Sequence, residues 1–196
     1  MKDFAQAVQG WANYLDRTQW HKLADLEKIQ EQGLKRIVLH HAVQSPWFKQ
    51  WLADQGLQPK DLFTLEGLKR LKPFTKRDIQ DAGEDFFAKN VPDIHKPVRD
   101  ISTSGSTGQP ITTKKTQMDQ VIWNAMTVRD HSWWGRSAEG QKLTAIKAGI
   151  KIQVEHAQWG MPMSMFHTTG ASQGLPVWMK TEEQLAAVER FQPDVM

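Results

Sequence analysis

Cysteine is absent from all 196 residues of the chain. Its absence excludes disulfide scaffolds, thiolate zinc sites and cysteine nucleophiles. No apolar run approaches the roughly 20 residues needed to cross a bilayer. The opening Met1-Lys-Asp-Phe-Ala-Gln-Ala-Val-Gln-Gly10 lacks the apolar centre of a signal peptide. A soluble cytoplasmic protein is therefore expected. An excess of charge of either sign is missing too. A formal net charge of +3 allows weak attraction to anions and does not by itself indicate nucleic acid. There is no internal repeat, no low-complexity stretch and no Gly-x-Ser-x-Gly hydrolase elbow. His156 and His167 have no partner at metal-ligand spacing such as His-x-x-x-His, and His40 and His41 are adjacent, so no metal ligand is assigned. No two carboxylates are paired in sequence for acid–base work, and no catalytic residue is assigned.

What is present is enough for one domain with a core, or one and a half small ones, at 39% hydrophobic and 24% charged residues. Residues 1–92 read as a mainly helical region with short breaks. Leu34, Ile37, Val38 and His41 form an apolar stripe at helical spacing. Ser45 is the expected N-cap of a helix that opens on Pro46 and stops at Gly56. Thr64 caps a shorter helix, and Thr75 with Asp78 makes a capping box. Lys69, Arg70, Lys72, Lys76 and Arg77 read as a solvated basic face. The nine tryptophans, with Trp47 and Trp51 on one helix face, read as core and interface packing. They are too scattered for a platform that stacks single-stranded nucleic acid.

Residues 93–196 read as an α/β segment. Val98–Thr103 and Ile111–Lys115 are expected strands. Thr116–Trp134 is an expected helix that buries Met118, Val121, Ile122, Ala125 and Val128 and ends at Gly135. Leu143–Ala148 reads as a buried strand, and Thr168–Gly174 as a second polar glycine loop. Thr181, with Gln184, is expected to cap a last helix that Pro193 stops, and Asp194–Met196 looks like the start of a strand.

Between the first two strands lies the most informative stretch, Ile101-Ser-Thr-Ser-Gly-Ser-Thr-Gly-Gln-Pro-Ile-Thr-Thr113. Four hydroxyls surround Gly105 and Gly108. Glycines allow close approach of a ligand to the backbone, and successive N–H groups in such a turn converge on anions. The combination suits a polyphosphate, and a plain polar turn is the alternative. It is not a Walker loop, because Gln109 and Pro110 follow Gly108. Nor is it a dinucleotide fingerprint, because the third glycine is missing.

Thr103 to Gly108, with Pro110 two positions on, resembles the phosphate-loop signature of the adenylate-forming (AMP-binding) superfamily of acyl-CoA synthetases. The flanks Leu34–Leu52, Leu71–Ile79, Trp123–Gly135 and Glu182–Val195 are similar to the phenylacetate–CoA ligase-like and capsule-biosynthesis-related branch, in family order. The resemblance implies a helical N-terminal region followed by part of the sheet-and-helix large domain. It also implies that the chain is the N-terminal portion of a ligase, incomplete at its C-terminus.

By the same resemblance Thr103, Ser104, Gly105, Ser106, Thr107 and Gly108 hold the ATP phosphates. Lys114 is an auxiliary phosphate contact, standing in for a lysine that many relatives carry soon after the loop proline. ATP, Mg2+ and coenzyme A are the implied cofactors, and a small carboxylic acid the implied substrate. The remainder of the ligase chain or a partner subunit is the implied partner. The family's aromatic-Gly-Thr-Glu element, its ribose-binding aspartate and its C-terminal catalytic lysine have no match here. The chain alone is therefore expected to be inactive or nearly so. A non-catalytic module that keeps the loop, and a helical interaction protein in which the loop is only a turn, stay open beside the ligase reading.

Overall fold

A computed structural model of the chain describes residues 2–103, 110–134 and 138–196. It is mixed α/β and divides into two compact units, Leu15–Gln120 and Met1–Tyr14 with Val121–Met196. Ser104–Gln109 and Gly135 lie outside the described residues.

In chain order the helices and strands are α1 (Lys2–Thr18), α2 (Leu23–Gln44), α3 (Pro46–Asp54), α4 (Leu65–Leu68), α5 (Lys76–Ala82), β1 (Arg99–Ser102), β2 (Thr112–Lys115), α6 (Gln117–Trp133), β3 (Leu143–Lys147), β4 (Val154–His156), β5 (Ser172–Pro176) and α7 (Thr181–Phe191).

The unit of residues 15–120 is built around α2 and α3. Val38, Leu52, Leu57 and Leu62 form its buried core, with Leu34, Phe48, Phe63 and Leu71 packed against them. Ile37, expected on the same stripe, is 55% exposed instead. It precedes Val38 by about 100° around the helix, and the core-facing arc is centred on Leu34 and Val38. Ser45 caps α3 by accepting the Phe48 N–H at 3.1 Å, Pro46 opens the helix, and Gly56 follows its end at φ +65°. That left-handed backbone favours glycine. Thr64 caps α4 through the Gly67 N–H. Trp47 and Trp51 stack with ring centroids 5.1 Å apart, and Phe74 and Phe86 close the cluster at 4.9–5.5 Å.

The other unit carries a three-stranded sheet of order β3-β5-β4, parallel between β3 and β5 and antiparallel between β5 and β4. Its central strand corrects the sequence reading. Ser172–Gly174, taken as loop, begins β5, and all five residues of that strand are buried. The polar side chains are buried because each has partners, as buried polar groups require. Ser172 Oγ donates to the Gln158 carbonyl at 2.8 Å. The Gln173 amide donates to the Ala187 carbonyl on α7, and its oxygen accepts from Thr144 Oγ1 at 3.3 Å. Gly174 leaves room for Ile150, whose Cδ1 would stand 2.7 Å from a Cβ.

β3, expected to be buried, is an edge strand with Ile146 41% exposed. Val195 bridges its first residue in parallel and is buried, as the strand-like ending predicts. The start of α7 also differs from expectation. Lys180 is the N-cap, Thr181 the first helical residue, and the Gln184 side chain donates instead to the Pro176 carbonyl at 3.0 Å. Five tryptophans, Trp20, Trp123, Trp133, Trp134 and Trp178, are more than half exposed and so take no part in the core. No described helix is long and apolar enough to cross a membrane.

Candidate functional site

The glycine-rich string connects β1 to β2. The two strands pair antiparallel with Arg99 opposite Lys115, Asp100 opposite Lys114, Ile101 opposite Thr113 and Ser102 opposite Thr112. The string therefore joins two strands and does not feed a helix directly. Backbone N–H groups and hydroxyls are the donors such a turn offers, without a helix dipole aimed along it.

The mouth of the turn is closed by hydrogen bonds. Thr103 N–H donates to the Ile111 carbonyl at 2.9 Å, and Ile111 N–H donates to Thr103 Oγ1 at 3.1 Å. The Thr103 hydroxyl thus accepts from the backbone and keeps its own proton to donate. One rung below, Ser102 Oγ and Thr112 Oγ1 are 2.9 Å apart on one face of the hairpin. Thr113 Oγ1 donates to the Ile101 carbonyl at 3.4 Å. Of the residues predicted to hold phosphate, Thr103 stands exposed at this mouth, while Ser104, Gly105, Ser106, Thr107 and Gly108 lie outside the described residues.

Lys114 sits on the same face as Ser102 and Thr112, two residues or roughly 7 Å along the strand from that rung. Its Nζ donates to Asp100 Oδ1 at 3.0 Å and to Glu84 Oε1 at 3.2 Å, and lies 5.2 Å from the Phe87 ring centroid. The hydrogen bond to Asp100, then that to Glu84, raises its pKa above the ordinary lysine value. Its charge is therefore fixed, and two carboxylates hold it.

α5 and the turn after it brace the hairpin at two points. Gln80 Nε2 donates to the Pro110 carbonyl at 3.3 Å, just beyond the glycine loop, and Glu84 takes Lys114. α5 itself is anchored by the predicted capping box. Thr75 N–H and hydroxyl donate to Asp78 Oδ2 at 2.6 and 2.7 Å, and Asp78 N–H returns to Thr75 Oγ1. These donors, the backbone one foremost, hold the Asp78 carboxyl below its ordinary value. A second capping box follows β2, with Thr116 N–H and hydroxyl on Asp119 Oδ2 at 2.7 and 2.8 Å. It starts α6 immediately after the hairpin.

Sequence reasoning missed Asp100, Gln80, Glu84 and Asp119. Asp100 was recoverable, since the hairpin register sets it opposite Lys114. Thr116 with Asp119 repeats the Thr75–Asp78 spacing. Gln80 and Glu84 reach the hairpin only through tertiary packing, which leaves no local signal. Elsewhere, His167 Nδ1 is 3.0 Å from Glu139 Oε1, whose other oxygen accepts the Thr168 N–H. His156 borders a concavity of about 610 Å³ with Trp159, Gly160 and Thr169. Among the described residues no group of three His, Asp or Glu is gathered as a metal site.

No protein-family profile matches the chain. Curated proteins do. Phenylacetate–coenzyme A ligase of Escherichia coli (strain K12) is 27% identical over 183 residues, 93% of this chain and 40% of its own length. The Pseudomonas putida phenylacetate–coenzyme A ligase is 30% identical over 182 residues, 88% of this chain and 38% of its own. That of Thermus thermophilus is 27% identical over 179 residues. Over most of its own length the chain is similar in sequence to phenylacetate–CoA ligases.

Among solved structures, a 2-hydroxyisobutyryl-CoA ligase in complex with 2-HIB-AMP and CoA matches 89% of this chain and 32% of its own, at 19% identity and a TM-score of 0.47. The chain spans about two fifths of the length of the curated phenylacetate–CoA ligases it matches. Most of the sequence takes part in those alignments, so the likeness is not confined to the glycine-rich string.

Proposed function

We propose that this chain carries the ATP-phosphate-gripping part of an AMP-forming carboxylate–CoA ligase of the phenylacetate–CoA ligase-like group. In this reading Thr103, Ser104, Gly105, Ser106, Thr107 and Gly108 wrap the β- and γ-phosphates, with Mg2+ as counter-ion. Ser106 and Thr107 are the main hydroxyl donors, and Gly105 and Gly108 admit the phosphate to the backbone. Lys114 adds positive charge on the hairpin face, where Asp100 and Glu84 engage two of its three ammonium donors. A carboxylate oxygen of the acid substrate attacks the α-phosphorus, the bond to the bridging oxygen breaks, and pyrophosphate leaves. A thiol, that of coenzyme A, then displaces AMP from the acyl-adenylate. Such chemistry rests on positioning and charge neutralisation, which hydroxyls and backbone N–H groups supply in part. The remaining parts of the reaction come from further ligase sequence or a partner subunit, acting together in the cytoplasm.

The observation that carries this reading is the placement of the string. It closes a braced antiparallel hairpin, within a chain whose relatives are phenylacetate–CoA ligases. Acid-dependent ATP–pyrophosphate exchange, measured over a panel that includes phenylacetate on this chain joined to the remaining ligase sequence, tests it. Exchange that needs both ATP and an acid supports the reading. ATP binding without exchange for any acid favours the second reading, a nucleotide- or partner-binding module that retains the loop.

A further inference from the structure

β1 and β2 form a two-stranded sheet, and all four residues of β1 are exposed. A hairpin of that size is marginal by itself in water. Its geometry therefore depends on what reaches it from other elements. Gln80 of α5 reaches the mouth of the turn, where its Nε2 donates to the Pro110 carbonyl at 3.3 Å. The Thr75–Asp78 capping box anchors that helix at its start.

The Pro110 carbonyl and the Ile111 N–H belong to one planar trans peptide group, so they point in opposite directions. Gln80 holds the carbonyl side of that plane. On the other side the Ile111 N–H donates to Thr103 Oγ1 at 3.1 Å, and Thr103 N–H donates back to the Ile111 carbonyl at 2.9 Å. The Thr103 oxygen is fixed as an acceptor, and its one proton is left to donate.

We propose that Gln80 is a positioning residue for phosphate binding. By holding the Pro110–Ile111 peptide plane it sets the Thr103 hydroxyl for an oxygen of a polyphosphate. The inference rests on the proposed phosphate-binding role of the turn. A donor set before the ligand arrives spares the cost of ordering it on binding. The Gln80–Pro110 hydrogen bond carries no charge at either end. A neutral replacement of Gln80 leaves the local field unchanged, so a change in anion affinity reports position. Glu84 does not allow that separation, because it pairs with Lys114.

Calorimetry with ATP–Mg2+ and with pyrophosphate on the full chain tests this. Gln80→Met keeps length and neutrality and has no donor. It should weaken both ligands by about fivefold, the worth of one hydrogen bond, while circular dichroism shows an unchanged fold. Gln80→His carries an Nε2–H that reaches about as far and is neutral at about pH 8. It should recover most of the loss. In a Thr103→Val background Gln80→Met should add little, because both act through one hydroxyl. Gln80→Ala replaces Gln80→Met if that variant does not fold. Binding that Gln80→Met leaves at the wild-type level overturns this inference alone. So does a loss that Gln80→His fails to recover, or one that persists in full beside Thr103→Val. A wild-type chain that binds neither ligand overturns the phosphate-binding role of the turn and this inference with it.

Discussion

Substitution of Ser45 separates two roles that one hydroxyl plays. Its oxygen accepts the Phe48 N–H at 3.1 Å as the N-cap of α3. Its single proton is shared between the carbonyl oxygens of Asp85 and Phe86, at 3.1 and 2.9 Å. The residue is 1% exposed, so neither role falls to water when it is lost. Ser45→Ala removes a cap worth about 1 kcal/mol and a buried hydrogen bond worth about 1 kcal/mol. The expected loss is about 2 kcal/mol. Ser45→Asp is the discriminating variant. By capping alone aspartate equals serine, so a cap-only account predicts no loss. Here the carboxylate would face two carbonyl oxygens with no proton to give, and an unpaired buried charge is strongly destabilising. Ser45→Asp should therefore fall below Ser45→Ala by at least about 1 kcal/mol, and the gap should shrink as pH falls and the carboxyl gains a proton. Urea denaturation followed through the adjacent Trp47–Trp51 fluorescence reads both variants. Ser45→Asp as stable as wild type would refute the reasoning, leaving the two carbonyl contacts without energetic weight.

Three further outcomes are expected. Gly67→Ala places a Cβ against the Asp61 carbonyl oxygen, well inside contact distance, and 3.1 Å from Thr64 Oγ1. It should cost about 2 kcal/mol or more in the same denaturation assay, since backbone cannot yield as a side-chain tip does. His41 has its pKa lowered from the ordinary 6.5, by burial first and by the neighbouring His40 second. The unfolded chain then binds the proton at higher pH than the folded one. Stability should be full above about 6.5 and decline as pH falls through the window below it, and His41→Gln should flatten that decline. Lys114→Met leaves Asp100 and Glu84 without their shared cation. Amide exchange at Thr103 and Ile111 should quicken while global unfolding changes little, because the pair network is largely solvent-facing.

How much of this was legible in the sequence depends on how local each signal is. The caps at Ser45, Thr64 and Thr75 and the glycine after α3 were readable because each works within four residues of itself. The hairpin and the helix after it were readable from strand signals around a turn and from helical spacing. β5 was not. Ser172, Gln173 and Gly174 look like loop residues, and only distant partners on β3, α7 and the segment before β5 make them buried strand. The cap of α7 failed for a related reason, since Gln184 found the Pro176 carbonyl and left no side-chain cap at the helix start. At the candidate site the glycine-rich string stands out in the sequence. The bracing by Gln80 and Glu84 does not, because 30 residues separate each from its partner.

The central claim is that the turn between β1 and β2 grips the tail of a nucleotide triphosphate. Competition calorimetry with ATP–Mg2+, inorganic pyrophosphate and AMP tests it most directly. Pyrophosphate should displace ATP, AMP should compete poorly, and Gly105→Asp should abolish ATP and pyrophosphate binding in a chain that remains folded. Binding of ATP that pyrophosphate does not disturb, or that survives Gly105→Asp unchanged, would contradict it.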